Sequence, residues 1–450
     1  MVHVPPIKLI RTPCYDRRGI QPTSDNTKDV RLGTDHVTTS LEERIAAAQA
    51  RLDRRGLLDA LRALVQIPSV YDPAVPDGNE RLAANFVAGL LDDWNIEYRS
   101  REVAPNRPNI VADIDGVRPG PLLVFEGHTD VVTAGDRAAW DVDPFAGEIR
   151  DGRLYGRGAC DMKGGLAAML FAARALHESG SEFAGTIRLA VLADEEGLMR
   201  GAKGFVADGE LDGAAAAIIC EPEGDRVCIA QKGAIRLRVT LAGRMAHGAM
   251  PEEGANPITA LGLIVSRCRT LEREIQSENP PHPLLGPFYL TPTVALAGER
   301  EQGNVIPSSA ELLLDIRTTP ANDHATTIER VTAAVSAAVA DVNGVTCQVE
   351  VIDDRPSTET DPEDPVVQSV IAAHRAETGQ HPPFGGVPGS TDGTIFWAAT
   401  RVPLVTYGPG ITTLPHQADE YVDLDEVVRY ARTYIAAALR FFDLMERGGG

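Results

Sequence analysis

The chain has 450 residues, 43% of them hydrophobic, and its 43 Lys and Arg residues against 64 Asp and Glu residues give a net charge of -21. This length favours two domains with a large buried core, and the negative charge argues against nucleic acid and anionic membrane surfaces as partners. We find no apolar run close to the roughly 20 residues that cross a bilayer, and no apolar core of a secretory signal near the N-terminus. The six cysteines form no C-x-x-C pair and are too sparse for a disulfide framework, which favours the reducing cytoplasm.

Helices alternate with strands in the first half of the chain, after an N-terminal extension over residues 1–40 that we expect to be poorly ordered. The stretch 213–220 fits a helix or a strand by composition, and its position before "EPEG" favours a strand. This alternation predicts an α/β fold whose mixed, mostly parallel sheet is covered by helices on both faces. The predicted helices cover 41–67, 80–94 and 163–179, and the other predicted strands cover 109–114, 121–127 and 185–193.

The pattern changes near Lys232. Residues 233–243 alternate apolar and polar side chains, which is typical of a strand with one face in water. We therefore predict an α+β domain over 233–354, inserted into a catalytic domain that consists of 41–232 and 355–450. Its further predicted elements are a helix over 256–273, a Pro-rich loop over 279–292, a strand over 310–318, a helix over 326–342 and a strand over 345–352.

Metal-binding types of side chain lie at the predicted ends of several strands. In open α/β sheets, ligands bind beyond the carboxyl ends of the strands, so these side chains are expected to meet at one rim. Each has an ordinary structural explanation when taken alone, but together they are typical of two divalent metals bridged by a carboxylate, with no thiolate ligand. The candidates are His128, Asp130, Asp161, Glu195, Glu196, Glu221 and His416.

The segment "LLVFEGHTDVV" suggests how one of these ligands is oriented. His128 is placed to bind metal through one ring nitrogen. Asp130 follows two positions later and so falls on the same face of an extended segment. Its carboxylate is expected to accept the proton of the other ring nitrogen, which would fix the tautomer.

Taken together, the motifs resemble the dinuclear-zinc amidohydrolases that include aminoacylase, acetylornithine deacetylase, succinyl-diaminopimelate desuccinylase and glutamate carboxypeptidase. The matching segments follow the family's order over residues 43–445 and are "GHTDVV", "DGRLYGRGACDMKGG", "ADEEG", "EPEG", "GRMAHGAMPEEGANP", "GNVIPSSAELLLDIR" and "PHQADEYV". The resemblance implies the metal-dependent exopeptidase fold, with the inserted domain as a lid and dimerisation domain. It also implies a cis peptide bond between Asp161 and Met162.

The resemblance implies a role for each residue at the rim. Two divalent ions are expected, zinc first, with cobalt or manganese as alternatives. Glu195 is implied to be the general acid and base, with Asp130 beside it in the catalytic set. The implied metal ligands are Asp161 as the bridge, His128 and Glu221 on one ion, and Glu196 and His416 on the other.

Substrate contacts are implied in the inserted domain. His247 matches a donor to the oxyanion, Arg317 matches an arginine that clasps a substrate carboxylate, and Asn304 matches a residue of the same pocket. From the residues alone, His247 fits equally a surface histidine that caps a turn before Pro251, and Arg317 fits a structural ion pair. The resemblance further implies a homodimer formed through this domain.

The segment "GVPGSTDGTIF" matches a loop that hydrogen-bonds the substrate backbone through Gly389, Ser390 and Thr391. Desuccinylases of the family carry an arginine directly after the Asp-Gly of this loop, whereas this chain has Thr394. This difference argues against recognition of diaminopimelate.

The predicted function is metal-dependent hydrolysis of the amide bond in an N-acyl amino acid or a related small carboxylate-bearing molecule, as in acetylornithine deacetylase. A carboxypeptidase or dipeptidase that acts on short peptides is the alternative. A metal-binding protein without turnover is a third interpretation, which loss of Glu195 would have marked, and Glu195 is present.

Overall fold

The computed structural model describes residues 39–180 and 182–448. The predicted extension, residues 1–40, lies outside the described residues except for its last two positions. Within the described residues the α-helices are α1 (Leu41–Gln49), α2 (Arg54–Val65), α3 (Arg81–Asp93), α4 (Gly164–Glu178), α5 (Arg200–Ala207), α6 (Pro257–Glu278), α7 (His324–Ala340), α8 (Pro365–Thr378), α9 (Gly393–Thr400) and α10 (Leu424–Gly448).

The strands of the same residues are β1 (Tyr98–Ala104), β2 (Arg107–Asp115), β3 (Arg118–His128), β4 (Glu148–Arg150), β5 (Arg153–Tyr155), β6 (Ala184–Leu192), β7 (Ala214–Ile219), β8 (Val227–Gln231), β9 (Gly233–Ala242), β10 (Ala246–His247), β11 (Tyr289–Ala297), β12 (Val305–Ile306), β13 (Ser309–Thr318), β14 (Thr346–Arg355), β15 (Thr358–Glu359), β16 (Phe384–Val387), β17 (Leu404–Thr406) and β18 (Tyr421–Asp423). The stretch that fitted helix or strand by composition is therefore a strand, β7.

A nine-stranded mixed sheet organises the larger part of the fold. Its order is β1-β2-β6-β3-β7-β17-β8-β15, and β16 also pairs with β8. The central strands β6, β3, β7 and β17 run parallel to one another, while β2 is antiparallel to β6. The α/β prediction with a mixed, mostly parallel centre is confirmed. The carboxyl ends of four neighbouring strands thus lie at one edge of the sheet.

The central strand β3 is apolar on both faces because helices cover both faces of the sheet. Leu123 and Phe125 point into a core with α4 and α10, and the Phe125 ring lies 5.5 Å from that of Tyr434 in α10. Val124, between them, points into a separate core with α5 and α9. Alternate residues of β3 therefore pack against two different helix layers, which explains why residues 122–125 are all apolar.

A second sheet lies within the stretch predicted as an inserted domain. Its four antiparallel strands have the order β11-β13-β9-β14, and α6 and α7 pack on one face of the sheet to form a core of its own. The boundaries 233–354 remain a prediction. Part of the predicted Pro-rich loop is in fact strand β11, which is at the edge of the sheet and has an irregular register between Pro292 and Val294. An edge strand tolerates proline because its outward N–H groups need no partner strand.

The helix predicted over 41–67 is divided into α1 and α2, which are separated by residues 50–53. The side chain of Asp53 accepts a hydrogen bond from the Gly56 N–H and so begins α2 as a new helix. Strand β1 has no counterpart among the predicted elements. None of the helices in the described residues combines the length and the hydropathy that a membrane span needs.

Candidate active site

The parallel strand ends bring the predicted metal ligands to one place. His128 is the last residue of β3, Glu221 follows β7, and Glu196 follows β6. His416 lies in the segment between β17 and β18, and Asp161 lies in a single turn over Ala159–Lys163 that precedes α4. The five side chains form two groups of three that share Asp161, and within each group the ligand atoms lie within 4.8 Å of one another.

The two oxygens of Asp161 point to different groups. Its Oδ1 lies 3.3 Å from Nε2 of His128, which is also 3.3 Å from Oε1 of Glu221. Its Oδ2 lies 3.4 Å from Nε2 of His416, which is 3.0 Å from Oε2 of Glu196. A carboxylate with one oxygen on each side, completed by one imidazole and one carboxylate on each side, fits a pair of divalent cations that prefer nitrogen and oxygen ligands.

The ligands perturb one another's protonation strongly. Burial by itself would lower the pKa of His128, yet the charge of Glu221 and a hydrogen bond to Asp161 raise it well above the usual value. Hydrogen bonds to Asp161 and Glu196 raise the pKa of His416 to about 10, and burial raises the pKa of Glu221 to about 8. Burial opposes ionisation of Asp161, but its two histidine neighbours lower its pKa below the usual value. A cation bound by these groups would therefore have to displace protons.

Asp161, the residue that the two groups share, is held by groups that the sequence did not indicate. The peptide bond Asp161–Met162 is cis, as the resemblance implied. Oε1 of Glu420 accepts hydrogen bonds from the backbone N–H groups of Asp161, at 3.0 Å, and of Cys160, at 2.9 Å. Its other oxygen pairs with the guanidinium of Arg157, and both side chains are buried. Glu420 lies four residues after His416, so this contact links the segments that carry the candidate ligands Asp161 and His416.

Asp130 has a different role from the one predicted. Nδ1 of His128 lies 2.9 Å from the backbone oxygen of Asp130 and 3.6 Å from its carboxylate oxygen Oδ1. The carboxylate instead accepts the backbone N–H groups of Glu195, at 3.1 Å, and Glu196, at 3.0 Å. The prediction failed because β3 ends at His128, so that the alternation of side chains in a strand no longer applies two residues later. The backbone carbonyl of Asp130 fixes the tautomer of His128, and its carboxylate fixes the loop of the two glutamates.

A second buried network holds the residue before these glutamates. Arg107 forms hydrogen bonds from Nε to both carboxylate oxygens of Glu80, and its NH2 group lies 2.7 Å from Oδ1 of Asp194. Asp194 has a φ of 68°, a left-handed conformation that needs such support in a residue other than glycine. Glu80 precedes α3 and Arg107 opens β2, so no local motif in the sequence marked the pair.

The substrate-binding residues predicted within 233–354 lie outside the two groups of candidate metal ligands. His247 is exposed at the end of β10, and its Nδ1 accepts the backbone N–H of Ala249 at 3.0 Å. Asn304 is also exposed, and its backbone oxygen accepts the N–H of Gly248. Arg317 forms a two-pronged ion pair with Asp315, at 2.6 and 3.2 Å. No hydrogen bond or ion pair among the described residues joins these three predicted residues to the metal ligands.

The predicted substrate loop is anchored at one end. Both the N–H and the hydroxyl of Thr391 donate to Oε1 of Gln231, at 3.1 and 3.0 Å. Gly389 and Ser390 are half-buried and precede this anchor. Thr394 is fully buried, and its hydroxyl donates to the backbone oxygen of Thr391 at 2.8 Å. The residue directly after Asp392 and Gly393 is therefore a neutral side chain whose hydroxyl is already hydrogen-bonded.

Comparison with known proteins gives consistent matches over most of the chain. The family model "Peptidase family M20/M25/M40" matches residues 124–440. The succinyl-diaminopimelate desuccinylase of Caulobacter vibrioides is 32% identical over 339 residues, which are 72% of this chain and 82% of the relative. A Staphylococcus aureus protein named "Probable succinyl-diaminopimelate desuccinylase" is 28% identical over 397 residues, which are 83% of this chain and 96% of the relative.

Solved structures show the same fold at lower identity. The dipeptidase Dug1p of Saccharomyces cerevisiae has a TM-score of 0.71 and 19% identity, and the match covers 89% of this chain and 98% of that one. The metallo-carboxypeptidase Sso-CP2 of Sulfolobus solfataricus also has a TM-score of 0.71 and 19% identity, with coverages of 86% and 99%.

Proposed function

The chain belongs to the M20/M25/M40 peptidase family and is a dinuclear metal-dependent hydrolase of amide bonds, and we propose that it removes the acyl group from N-acyl amino acids with a free carboxylate. The observation that carries this proposal is the pair of ligand groups that share Asp161, with the buried Glu195 beside them. The relatives named as desuccinylases also cleave an N-acyl amide, according to their names.

In this proposal Asp161 would contribute to both cation sites, His128 and Glu221 would complete one, and Glu196 and His416 would complete the other. The chemistry supplied by the pair when bound is Lewis acidity, which polarises the scissile carbonyl and makes the attacking water more acidic. Zinc is the proposed metal, because two imidazoles and three carboxylates suit it, although cobalt and manganese accept the same ligands.

Glu195 is proposed as the general acid and base. Burial raises the pKa of its carboxyl group well above the usual value, and the charge of Glu221 adds to the shift. Its carboxylate forms no hydrogen bond or ion pair within the described residues, while its backbone N–H is fixed by Asp130. A carboxylate that is held in place but has no fixed partner can take a proton from the attacking water and return it to the leaving amine.

His247 is proposed as the donor to the oxyanion. Because Nδ1 accepts a hydrogen bond from the Ala249 N–H, the neutral ring carries its proton on Nε2. Within the described residues Nε2 has no hydrogen-bond partner. That N–H group therefore remains available to the negative oxygen that develops on the carbonyl during attack.

Arg317 is proposed as the clamp for the substrate carboxylate, with Asn304, Gly389, Ser390 and Thr391 as further substrate contacts. The pair with Asp315 uses Nε and one N–H of NH2. A guanidinium has five N–H donors, so the NH1 edge can still bind a carboxylate while Asp315 holds the side chain in place.

The acyl group is proposed to be small and uncharged, such as acetyl. The buried Thr394 donates its hydroxyl to Thr391 and offers no positive charge to a second carboxylate. Short peptides remain the second candidate, since the chain shares the fold of dipeptidases and carboxypeptidases.

A homodimer formed through the inserted domain is the proposed assembly. Strand β11 is an edge strand that pairs only with β13, and it exposes Leu296. Helix α6 exposes Ile258, Leu263 and Val265, which gives an apolar surface beside the second sheet. The reducing cytoplasm is the proposed location, because the five cysteines of the described residues are all free.

The proposed function can be tested with metal-free protein to which zinc is returned. We expect hydrolysis of N-acetyl amino acids to depend on up to two zinc ions per chain, with lower kcat/KM for N-succinyl amino acids and for dipeptides. A preference for dipeptides would favour the second candidate. Full activity of the metal-free protein would contradict both.

A further inference from the structure

A continuous row of alternating charges crosses the second sheet. Nε of Arg317 lies 2.6 Å from Oδ1 of Asp315, whose Oδ2 lies 3.5 Å from Nε of Arg236. Arg236 continues to Asp353 at 3.3 Å, and Asp353 lies 2.8 Å from Nε of Arg355. The row spans β13, β9 and β14, in which Asp315, Arg236 and Asp353 are direct cross-strand neighbours. Only one end of the row is buried: Asp353 and Arg355 are 4% and 5% exposed, whereas Arg236 in the middle is 38% exposed.

The buried end of this row reaches the loop that carries the two glutamates of the active site. NH2 of Arg355 donates a hydrogen bond of 2.9 Å to the backbone oxygen of Gly197, the residue directly after Glu196. The contact with Asp353 is one of charge, since the Nε–H of Arg355 does not point at the carboxylate oxygen. The guanidinium of Arg355 thus binds the loop through a hydrogen bond to Gly197, and the charge of Asp353 stabilises it in that position.

Besides the network of Arg107 and Glu80 at Asp194, two groups hold the backbone of the loop over 195–197. The carboxylate of Asp130 accepts the N–H groups of Glu195 and Glu196, and Arg355 donates to the next carbonyl. Asp130 follows β3 in the first sheet, whereas Arg355 ends β14 in the second. Of these two contacts, the one from Arg355 comes from the four-stranded sheet that also carries Arg317.

We propose that Arg355 is a positioning residue that fixes the loop of Glu195 and Glu196 through the Gly197 carbonyl and ties that loop to the sheet of Arg317. This inference rests on the roles proposed above for the two glutamates. Loss of the anchor lets the loop shift, which moves Glu196 away from its cation and Glu195 away from the attacking water. A shift of this kind lowers kcat and cation affinity, while the substrate's own contacts, and hence KM, stay close to normal.

The test compares Arg355→Met, Arg355→Lys and the control Arg238→Met by steady-state kinetics on an N-acetyl amino acid and by zinc titration of the metal-free protein. Arg238 lies on the same face of β9 as Arg236 and pairs with Glu350 at 2.9 Å. Within the described residues it forms no hydrogen bond or ion pair with the loop over 194–197. For Arg355→Met we expect kcat and the affinity for the weaker zinc ion each to fall by about tenfold, the lower end of the effect of losing a partner outside the metal ligands. The lysine variant keeps a positive donor and should lie between this variant and the wild type.

Several outcomes would overturn the inference. Wild-type kcat and zinc affinity in folded Arg355→Met would do so, as would a rise in KM with kcat unchanged, or equal losses in Arg238→Met. If Arg355→Met does not fold, Arg355→Lys decides, since wild-type kcat and zinc affinity in that variant would contradict the proposal. Glu195→Gln is measured in parallel. Full activity in that variant would contradict the proposed role of Glu195 as acid and base. The zinc affinity of the Arg355 variants would still test whether Arg355 positions Glu196.

Discussion

Replacement of Glu420 by glutamine tests whether the turn of Asp161, the proposed bridging ligand, depends on a buried ion pair. Glu420 is fully buried, and its carboxylate accepts the N–H groups of Cys160 and Asp161 while it pairs with Arg157, which is itself about 3% exposed. Glutamine keeps the shape of the side chain but removes the charge, so the guanidinium stays buried without a counter-charge. Removing one partner of a buried ion pair costs about 3–5 kcal/mol, and the weaker hydrogen bonds to the Asp161 turn act in the same direction.

Urea unfolding of the metal-free protein measures this loss. Glu350→Gln is the control, because Glu350 forms an exposed pair with Arg238 whose loss should hardly change the free energy of unfolding. The double variant Arg157→Met/Glu420→Gln should recover part of the loss, since it leaves no unpaired buried charge. If Glu420→Gln unfolds with a free energy within about 1 kcal/mol of the wild type, the pair does not support the Asp161 turn as argued.

Four further outcomes follow from the proposed site. Glu195→Gln should lower turnover by about 10²- to 10⁴-fold or more and keep its metal, and loss of metal instead would mean that the two adjacent glutamates have been assigned the wrong way round. Arg317→Lys should lower kcat/KM on free-acid substrates far more than on their amides, because only a guanidinium offers two parallel hydrogen bonds, and equal losses would indicate a structural role. Zinc affinity should rise with pH around neutrality, because His416 and Glu221, with pKa values of about 10 and about 8, must lose protons on binding. Zinc titrations at several pH values measure this, and an affinity that does not change with pH would contradict it. Mixed dimers of His247→Ala and Glu195→Ala chains should regain activity if His247 serves the partner's site, and inactive mixed dimers isolated with two affinity tags would reject sharing.

The sequence was sufficient for the features that depend on local pattern. The strand predicted over 121–127, directly before the candidate ligand His128, is β3 in the middle of the sheet, and its carboxyl end lies at the rim where the ligands were expected. Parallel neighbours then dictate that Glu196 and Glu221, which follow other strands, lie near it. The α/β class and the position of β7 were predicted for the same reason, because alternation of helices and strands constrains the topology.

The contacts that hold the ligands could not be predicted in this way. Arg157 and Glu420 are 263 positions apart, and Arg355 and Gly197 are 158 positions apart, so no periodicity connects them. Asp130 does lie at the candidate site, but its carboxylate binds the backbone of Glu195 and Glu196 and not the ring of His128. The alternation of side chains on which the prediction rested ends with β3 at His128. Local pattern predicts which residues reach the rim, whereas the groups that orient them come from distant segments.

These distant contacts have one physical property in common, which is that they act on the backbone. Asp130, Glu420 and Arg355 each bind N–H or carbonyl groups beside a proposed ligand or the proposed base, and none of them occupies that residue's side chain. If they bound the side chains, a cation or a proton in transfer would have to compete with them. Because the backbone is fixed instead, the carboxylates keep their oxygens for cations and water while the order in the loop is established on folding, before substrate arrives. Substitutions at these three positions should therefore change the geometry of the site without changing its chemical composition.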